Sequence, residues 1–150
     1  MVNIQYLEGK KNFDSFLLNN KNDVILLIFS ASWCGPCQVF KKYLSIPESE
    51  ILYPGLQAVC LDTDAEGNEE LCDFYEIASL PTYFFVYLDN ENNLRATAKQ
   101  EGYSESGFLN NYSQAIEYFK QFDKPVEKEI EEQLVEDVVD ETENNEEPKN

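Results

Sequence analysis

Along the chain the spacing of apolar residues changes several times, and each change marks a predicted element. Residues 2–6 alternate and predict a short strand, after which Phe13, Phe16 and Leu17 recur at helical spacing within residues 12–18. Residues 24–29 form an unbroken apolar run, the pattern of a strand buried on both faces, so residues 23–30 are read as a central parallel strand. Val39, Phe40, Tyr43 and Leu44 then return to helical spacing until Pro47 stops the helix. Residues 56–61 predict another strand, residues 69–77 a short acidic helix, and residues 82–88 a second strongly apolar strand. A turn at residues 90–93 leads into an antiparallel return strand over residues 94–100. Phe108, Tyr112, Ala115, Ile116 and Phe119 make the stripe of a last helix. The order β-α-β-α-β-α-β-β-α has no internal repeat and joins a βαβ unit to a terminal hairpin. It predicts an α/β fold, a three-layer sandwich whose central mixed sheet is flanked by helices.

Composition changes abruptly near residue 124, so residues 1–123 are read as one domain and residues 124–150 as an acidic C-terminal extension. The domain holds 8 Lys+Arg against 18 Asp+Glu, the extension 3 against 11, and the whole chain carries a net charge of −18. Ile130, Leu134, Val135, Val138 and Val139 fall on one stripe of a helix, which predicts an amphipathic segment in the extension, followed by disorder over residues 143–150. So acidic a chain repels phosphate backbones and anionic lipid, and neither nucleic acid nor membrane is an expected partner. The longest apolar runs are six residues, far short of the roughly 20 that a spanning helix needs. The first residues show no basic stretch followed by an apolar one, so no secretion signal is expected and a cytoplasmic location is.

The chain contains no His, which removes His-dependent triads, His general bases and mixed Cys/His zinc sites. Thiol chemistry remains. Trp33-Cys34-Gly35-Pro36-Cys37 places two cysteines at a strand-to-helix junction, where unpaired helix N–H groups and the macrodipole favour a thiolate on the first. Cys34 is therefore the expected nucleophile, and Cys37, one turn further in, the thiol that resolves a mixed disulfide. Gly35 permits a close approach, and Pro36 suits the first helical turn. Cys60 and Cys72 lie twelve residues apart and do not supply the second close pair of a zinc site; no metal and no cofactor is expected. Cys60 reads as a small buried hydrophobe in a central strand. Cys72, on the acidic helix, is either a packing residue or a regulatory thiol, and its neighbours Glu69, Glu70 and Asp73 disfavour its thiolate.

Trp33-Cys34-Gly35-Pro36-Cys37 after a buried strand, with Leu80-Pro81-Thr82 opening a later one, resembles the thioredoxin family over about residues 1–122. The resemblance implies that Pro81 is a cis proline facing the two cysteines and that the Leu80 backbone pairs a substrate strand. It also assigns Gly102 and Tyr103 to the loop that completes the docking surface, and Trp33 to the ring bordering it. The Gly-Pro pair between the cysteines resembles the reductase branch.

Five positions depart from that pattern. Where the family typically buries an Asp, six residues before the first cysteine, this chain has Ile28, and the partner lysine position matches Cys60; Ile and Cys are then expected to share an apolar pocket. Resolution by Cys37 is expected to be slower or assisted by water. Lys42 replaces a helix-kinking proline, so the helix is expected to run straighter. Thr63 and Glu101 stand on the docking rim where apolar residues are expected, which favours polar or basic clients. Two functions remain in view: a reductase of protein disulfides, recharged by a dithiol or a thioredoxin-reductase-type donor, and a thioredoxin-like binding module or co-chaperone with minor redox turnover. An oxidase or isomerase of secreted proteins fits the Gly-Pro pair less well.

Overall fold

The computed structural model describes residues 1–122. The acidic extension, its amphipathic stripe and the boundary at residues 123 and 124 lie outside the described residues. Six strands form one mixed sheet: β1 (Asn3–Leu7), β2 (Ile25–Ser30), β3 (Gln57–Asp62), β4 (Thr82–Leu88), β5 (Leu94–Ala96) and β6 (Gln100–Glu101). Five α-helices cover it: α1 (Lys10–Asn19), α2 (Gly35–Ser45), α3 (Glu48–Leu52), α4 (Glu69–Phe74) and α5 (Glu105–Phe119). The spatial order is β1-β3-β2-β4-β5, with β6 also pairing β4. β3 runs parallel to both β1 and β2, while β4 is antiparallel to β2 and β5. This is the expected three-layer α/β architecture.

The two faces of β2 explain its unbroken apolar run. Leu26 and Ile28 pack with Phe40 and Leu44 of α2 and with Phe108, Ala115 and Phe119 of α5. Ile25, Leu27 and Phe29 pack on the other side with Phe13, Phe16 and Leu17 of α1 and Leu71 of α4. Each such side chain, fully buried, contributes roughly 1.5–3 kcal/mol of transfer free energy. β2 is thus the rigid centre of the sheet, and it ends at the strand-to-helix junction bearing the two cysteines.

Three sequence expectations are corrected. The acidic helix stops at Phe74 rather than Ile77, because Glu76 takes a left-handed φ of 53° and the Ile77 N–H returns to the Cys72 carbonyl at 3.0 Å, the closure of a helix C-terminus. The return strand is split into β5 and β6. Between them the Thr97 hydroxyl accepts from the Phe85 N–H at 3.0 Å, so a side-chain oxygen takes the ladder position of a carbonyl. The third correction is α3, which the periodicity did not predict. Pro47 does not only terminate α2, which ends at Ser45; it also caps α3, with Glu48 and Glu50 in the first turn. Ser49 anchors this turn, accepting from the Val2 N–H at 3.1 Å and donating to the Leu44 carbonyl at 2.7 Å.

Two polar residues fasten loops to the sheet. Buried Asn68 accepts from the Gly9 N–H at 2.8 Å and donates to the Asp62 carbonyl at 3.0 Å, and Gly9, at φ 95°, holds a turn that disfavours a side chain. Asp89 accepts the N–H groups of Asn93 and Glu91 at 2.8 and 2.9 Å and the Arg95 guanidinium at 3.1 Å, which closes the β4–β5 turn. These donors, the Asn93 N–H foremost, hold its carboxyl below the usual carboxylate range.

Candidate active site

Cys34 is the N-cap of α2 and Pro36 lies in its first turn. The Cys34 sulfur accepts from the Cys37 N–H at 3.2 Å, so a helix N-terminal donor points at the atom that must carry negative charge when reduced. Cys34 and Cys37 are joined in a disulfide with their Cα atoms 5.3 Å apart. Cys37 is fully buried and Cys34 is 5% exposed, and both pack with Ala31 and Leu80. Gly35 and Pro36 are exposed beside them. The helix geometry therefore orders the two sulfurs, with Cys34 outermost and Cys37 behind it.

The Leu80–Pro81 peptide bond is cis, and Pro81 is buried. Leu80 meets the cysteine pair, and among the described residues its N–H and C=O make no hydrogen bond with another backbone group. A free donor and acceptor beside a sulfur form a short stretch of unpaired strand edge, available to an extended peptide. The Pro81 carbonyl is taken by the Gly102 N–H at 2.7 Å, and Gly102, at φ 82°, turns the chain between β6 and α5. Gly102 is exposed, whereas the Tyr103 ring turns inward and stacks on Phe40 of α2, with centroids 4.4 Å apart. Burial, followed by its aromatic neighbour Tyr43, pushes the Tyr103 phenol well above its ordinary range. Tyr103 thus ties the loop that carries Gly102 to the helix that carries Cys37.

Trp33 is 70% exposed, and its indole N–H donates to Asp64 at 2.7 Å, which fixes the ring at the edge of the site. A groove of about 360 Å³ runs from Trp33 and Thr63 past Cys72 to Leu80. The structure therefore brings Trp33, Cys34, Cys37, Leu80 and Pro81 together, with Gly102 bonded to Pro81, and it adds Cys72 to the groove wall. Asp64 is a site residue that sequence reasoning missed; its signal, an acid just beyond the end of a strand, is too common to single out.

The apolar pocket expected for Ile28 and Cys60 is half right. Ile28 is fully buried in the α2 face and lies in register with Cys60 on β3 and Tyr83 on β4. Cys60, however, has a polar partner: its sulfur lies 3.2 Å from the Ser30 hydroxyl, and both line a cleft of about 190 Å³ with Tyr6, Lys41 and Asp62. Ser30 is the reason, because it shares a strand face with Ile28 and supplies a hydroxyl there.

Burial raises the pKa of the Cys72 thiol, and the carboxylates of Asp73, Asp62 and Glu69 raise it further. Cys72 is expected to react with iodoacetamide more slowly than Cys34 in the reduced protein at pH 7, with a rate still climbing at pH 9 as the thiolate forms. Mass spectrometry of tryptic peptides after timed alkylation measures both rates. Equal rates for the two thiols at pH 7 would contradict this ordering.

The thioredoxin family model matches residues 5–113. A thioredoxin H-type of Populus jackii is 36% identical over 90 residues, covering 56% of this chain and 59% of its own length. The chloroplastic thioredoxin Y1 of Arabidopsis thaliana is 40% identical over 88 residues, covering 57% of this chain and 49% of its own. The chain thus spans about half to three-fifths of the length of these curated relatives. Among solved structures, a poplar wild-type thioredoxin h superposes with a TM-score of 0.62 at 24% identity, covering 76% of this chain and 96% of that one.

Proposed function

The chain belongs to the thioredoxin family, and on that premise we propose that it is a thiol–disulfide oxidoreductase that reduces protein disulfides through a Cys34/Cys37 dithiol–disulfide cycle. The observation that carries this reading is the Cys34–Cys37 disulfide at the N-terminus of α2, beside the unpaired backbone of Leu80. In the reduced state the Cys34 thiolate attacks one sulfur of a client disulfide, and the other client sulfur leaves as a thiolate and is protonated. Cys37 then gives up its proton and attacks the Cys34 sulfur of the mixed disulfide. The second client thiolate departs, so two electrons have passed to the client and the protein holds the internal disulfide. A dithiol or a thioredoxin-reductase-type donor returns the two electrons by the reverse exchange at Cys34, the outer sulfur.

Proton removal from Cys37 has no carboxylate to rely on at residue 28, where Ile28 is enclosed by apolar side chains. In this reading the departing client thiolate and solvent take that proton. The same lack of an internal acid favours the second reading, a binding module with minor turnover. A cytoplasmic setting belongs to the proposal, supported by the unpaired thiols of Cys60 and Cys72, which a reducing compartment preserves. The direct test is stoichiometric: protein reduced with dithiothreitol, then desalted, should reduce a cystine peptide one for one, with the peptide's thiols quantified by mass spectrometry. Binding of the peptide without release of its thiols would instead establish the binding module.

A further inference from the structure

Near the unpaired Leu80 backbone stands a carboxylate that has no partner among the described residues. Glu101 is exposed, lies in register with Thr82, the residue after Pro81, and precedes Gly102, whose N–H is held by the Pro81 carbonyl. Among the described residues it makes neither an ion pair nor a side-chain hydrogen bond. Lys99, the cation nearest in sequence, is committed elsewhere: its ammonium donates to the carbonyls of Tyr75 and Glu76 at 2.7 and 3.0 Å. On the Trp33 side, Asp64 is already held by the indole N–H. Glu101 is therefore a charge without a partner among the described residues, two residues along the pairing register from Leu80.

We propose that Glu101 sets the client preference of the site, selecting disulfides flanked by Lys or Arg through an ion pair beside Pro81. This inference rests on the reductase reading above. An extended peptide paired to Leu80 passes over Pro81, and the loop beside it offers Gly102, with no side chain and nothing within 4 Å of where a Cβ would stand. The next side chain toward β6 is Glu101. A Lys or Arg one or two residues from the attacked cysteine has the reach to meet it, whereas an acidic residue there meets like charge and is rejected. The chain's net charge of −18 adds a general attraction for cations, but that field acts on every basic group of a client, while the Glu101 contact depends on position.

The test uses the full chain and three cystine peptides of one length that differ only in the residue flanking the attacked cysteine: Lys, Gln or Glu. Wild type is expected to reduce the Lys peptide with a kcat/KM about three- to fivefold above the Gln peptide, the size of an exposed charge pair. Glu101→Gln should bring that ratio to about one, and Glu101→Lys should invert the order of the Lys and Glu peptides. Because Glu101→Gln changes the net charge by a single unit, a preference that survives it at full size comes from the overall field and overturns the assignment. The selectivity is read as the ratio of the Lys and Gln peptides within each protein, and uncharged bis(2-hydroxyethyl) disulfide, which cannot form the ion pair, reports the chemical competence of the wild-type cysteine pair. If wild type fails to reduce it, the reductase reading falls, and the selectivity is then read by binding of Cys→Ser forms of the same peptides. Fluorescence of Trp33, the only tryptophan, reports that binding. Tighter binding of the Lys form, lost in Glu101→Gln, supports the proposal, and equal Kd values for the Lys and Gln forms overturn it.

Discussion

Cys34→Ser is expected to abolish disulfide reduction, lowering turnover by about three orders of magnitude or more, as loss of a covalent nucleophile does. The reason is geometric as well as chemical. Cys37 is fully buried behind Cys34, so it has no path to an external disulfide and cannot take over the first step. Cys37→Ser should behave differently. Cys34 still has its helix N-terminal donors, and the first exchange still proceeds, but no thiol remains to release the product. A mixed disulfide should accumulate to one client per protein, visible as a mass increase that dithiothreitol removes. Both substitutions are nearly isosteric, and circular dichroism checks that the fold is retained. Undiminished turnover by Cys34→Ser would sink the enzymatic reading, and failure of Cys37→Ser to trap a cystine peptide would leave Cys37 without its resolving role.

Much of this site was legible because each of its parts depends on neighbours in sequence. The spacing of Cys34 and Cys37 across a strand-to-helix junction puts both sulfurs on the first turn of α2, and the apolar run before them predicts the strand that holds that turn. The sheet's two covered faces follow from the alternation of residues such as Leu26 and Ile28 against Ile25 and Leu27, which any two-sided strand must show. What was not legible depends on partners far along the chain or on side chains imitating backbone. The split between β5 and β6 turns on Thr97 standing in for a carbonyl, and no period in the sequence records that exchange. α3 is a five-residue helix, too short to show a repeat, and its anchor is a bond from Ser49 to the N-terminal strand segment 47 residues away. Cys60 looked apolar because Cys usually is when buried; its hydroxyl partner, Ser30, is on a strand 30 residues earlier. Tyr103 sits where the family resemblance places a docking residue, yet only the packed structure shows its ring given over to Phe40.

Ile28→Asp is expected to destabilise the domain by about 3–5 kcal/mol at pH 7, the cost of burying a charge without a partner. For a domain of this size that is a large share of a total stability of roughly 5–15 kcal/mol. Ile28 has no exposed surface and lies among Leu26, Phe40 and Tyr83, none of which can neutralise a carboxylate. The pH dependence fixes the cause. Burial raises the folded-state pKa of the introduced carboxyl above its unfolded value of about 3.9. Below that pH the group is protonated in both states, and the loss of stability is smallest. As pH rises, the unfolded chain releases its proton before the folded one does, so stability falls until the folded pKa is passed and then levels off. Thermal melts of wild type and variant between pH 3 and 8 measure this, and a difference in Tm that stays constant across the range would show that lost packing, not charge, is responsible. Adding Cys60→Lys, in register with residue 28 and opening on the cleft beside Ser30, should recover part of the loss by pairing the charge. In that double variant an acid also stands in the core layer that packs on α2 beside Phe40, one helical turn from Cys37. If proton removal from Cys37 limits the cycle, resolution of a trapped mixed disulfide near neutral pH should be faster than in wild type. A well-folded double variant that resolves no faster would mean that the client thiolate and solvent already take the proton quickly enough.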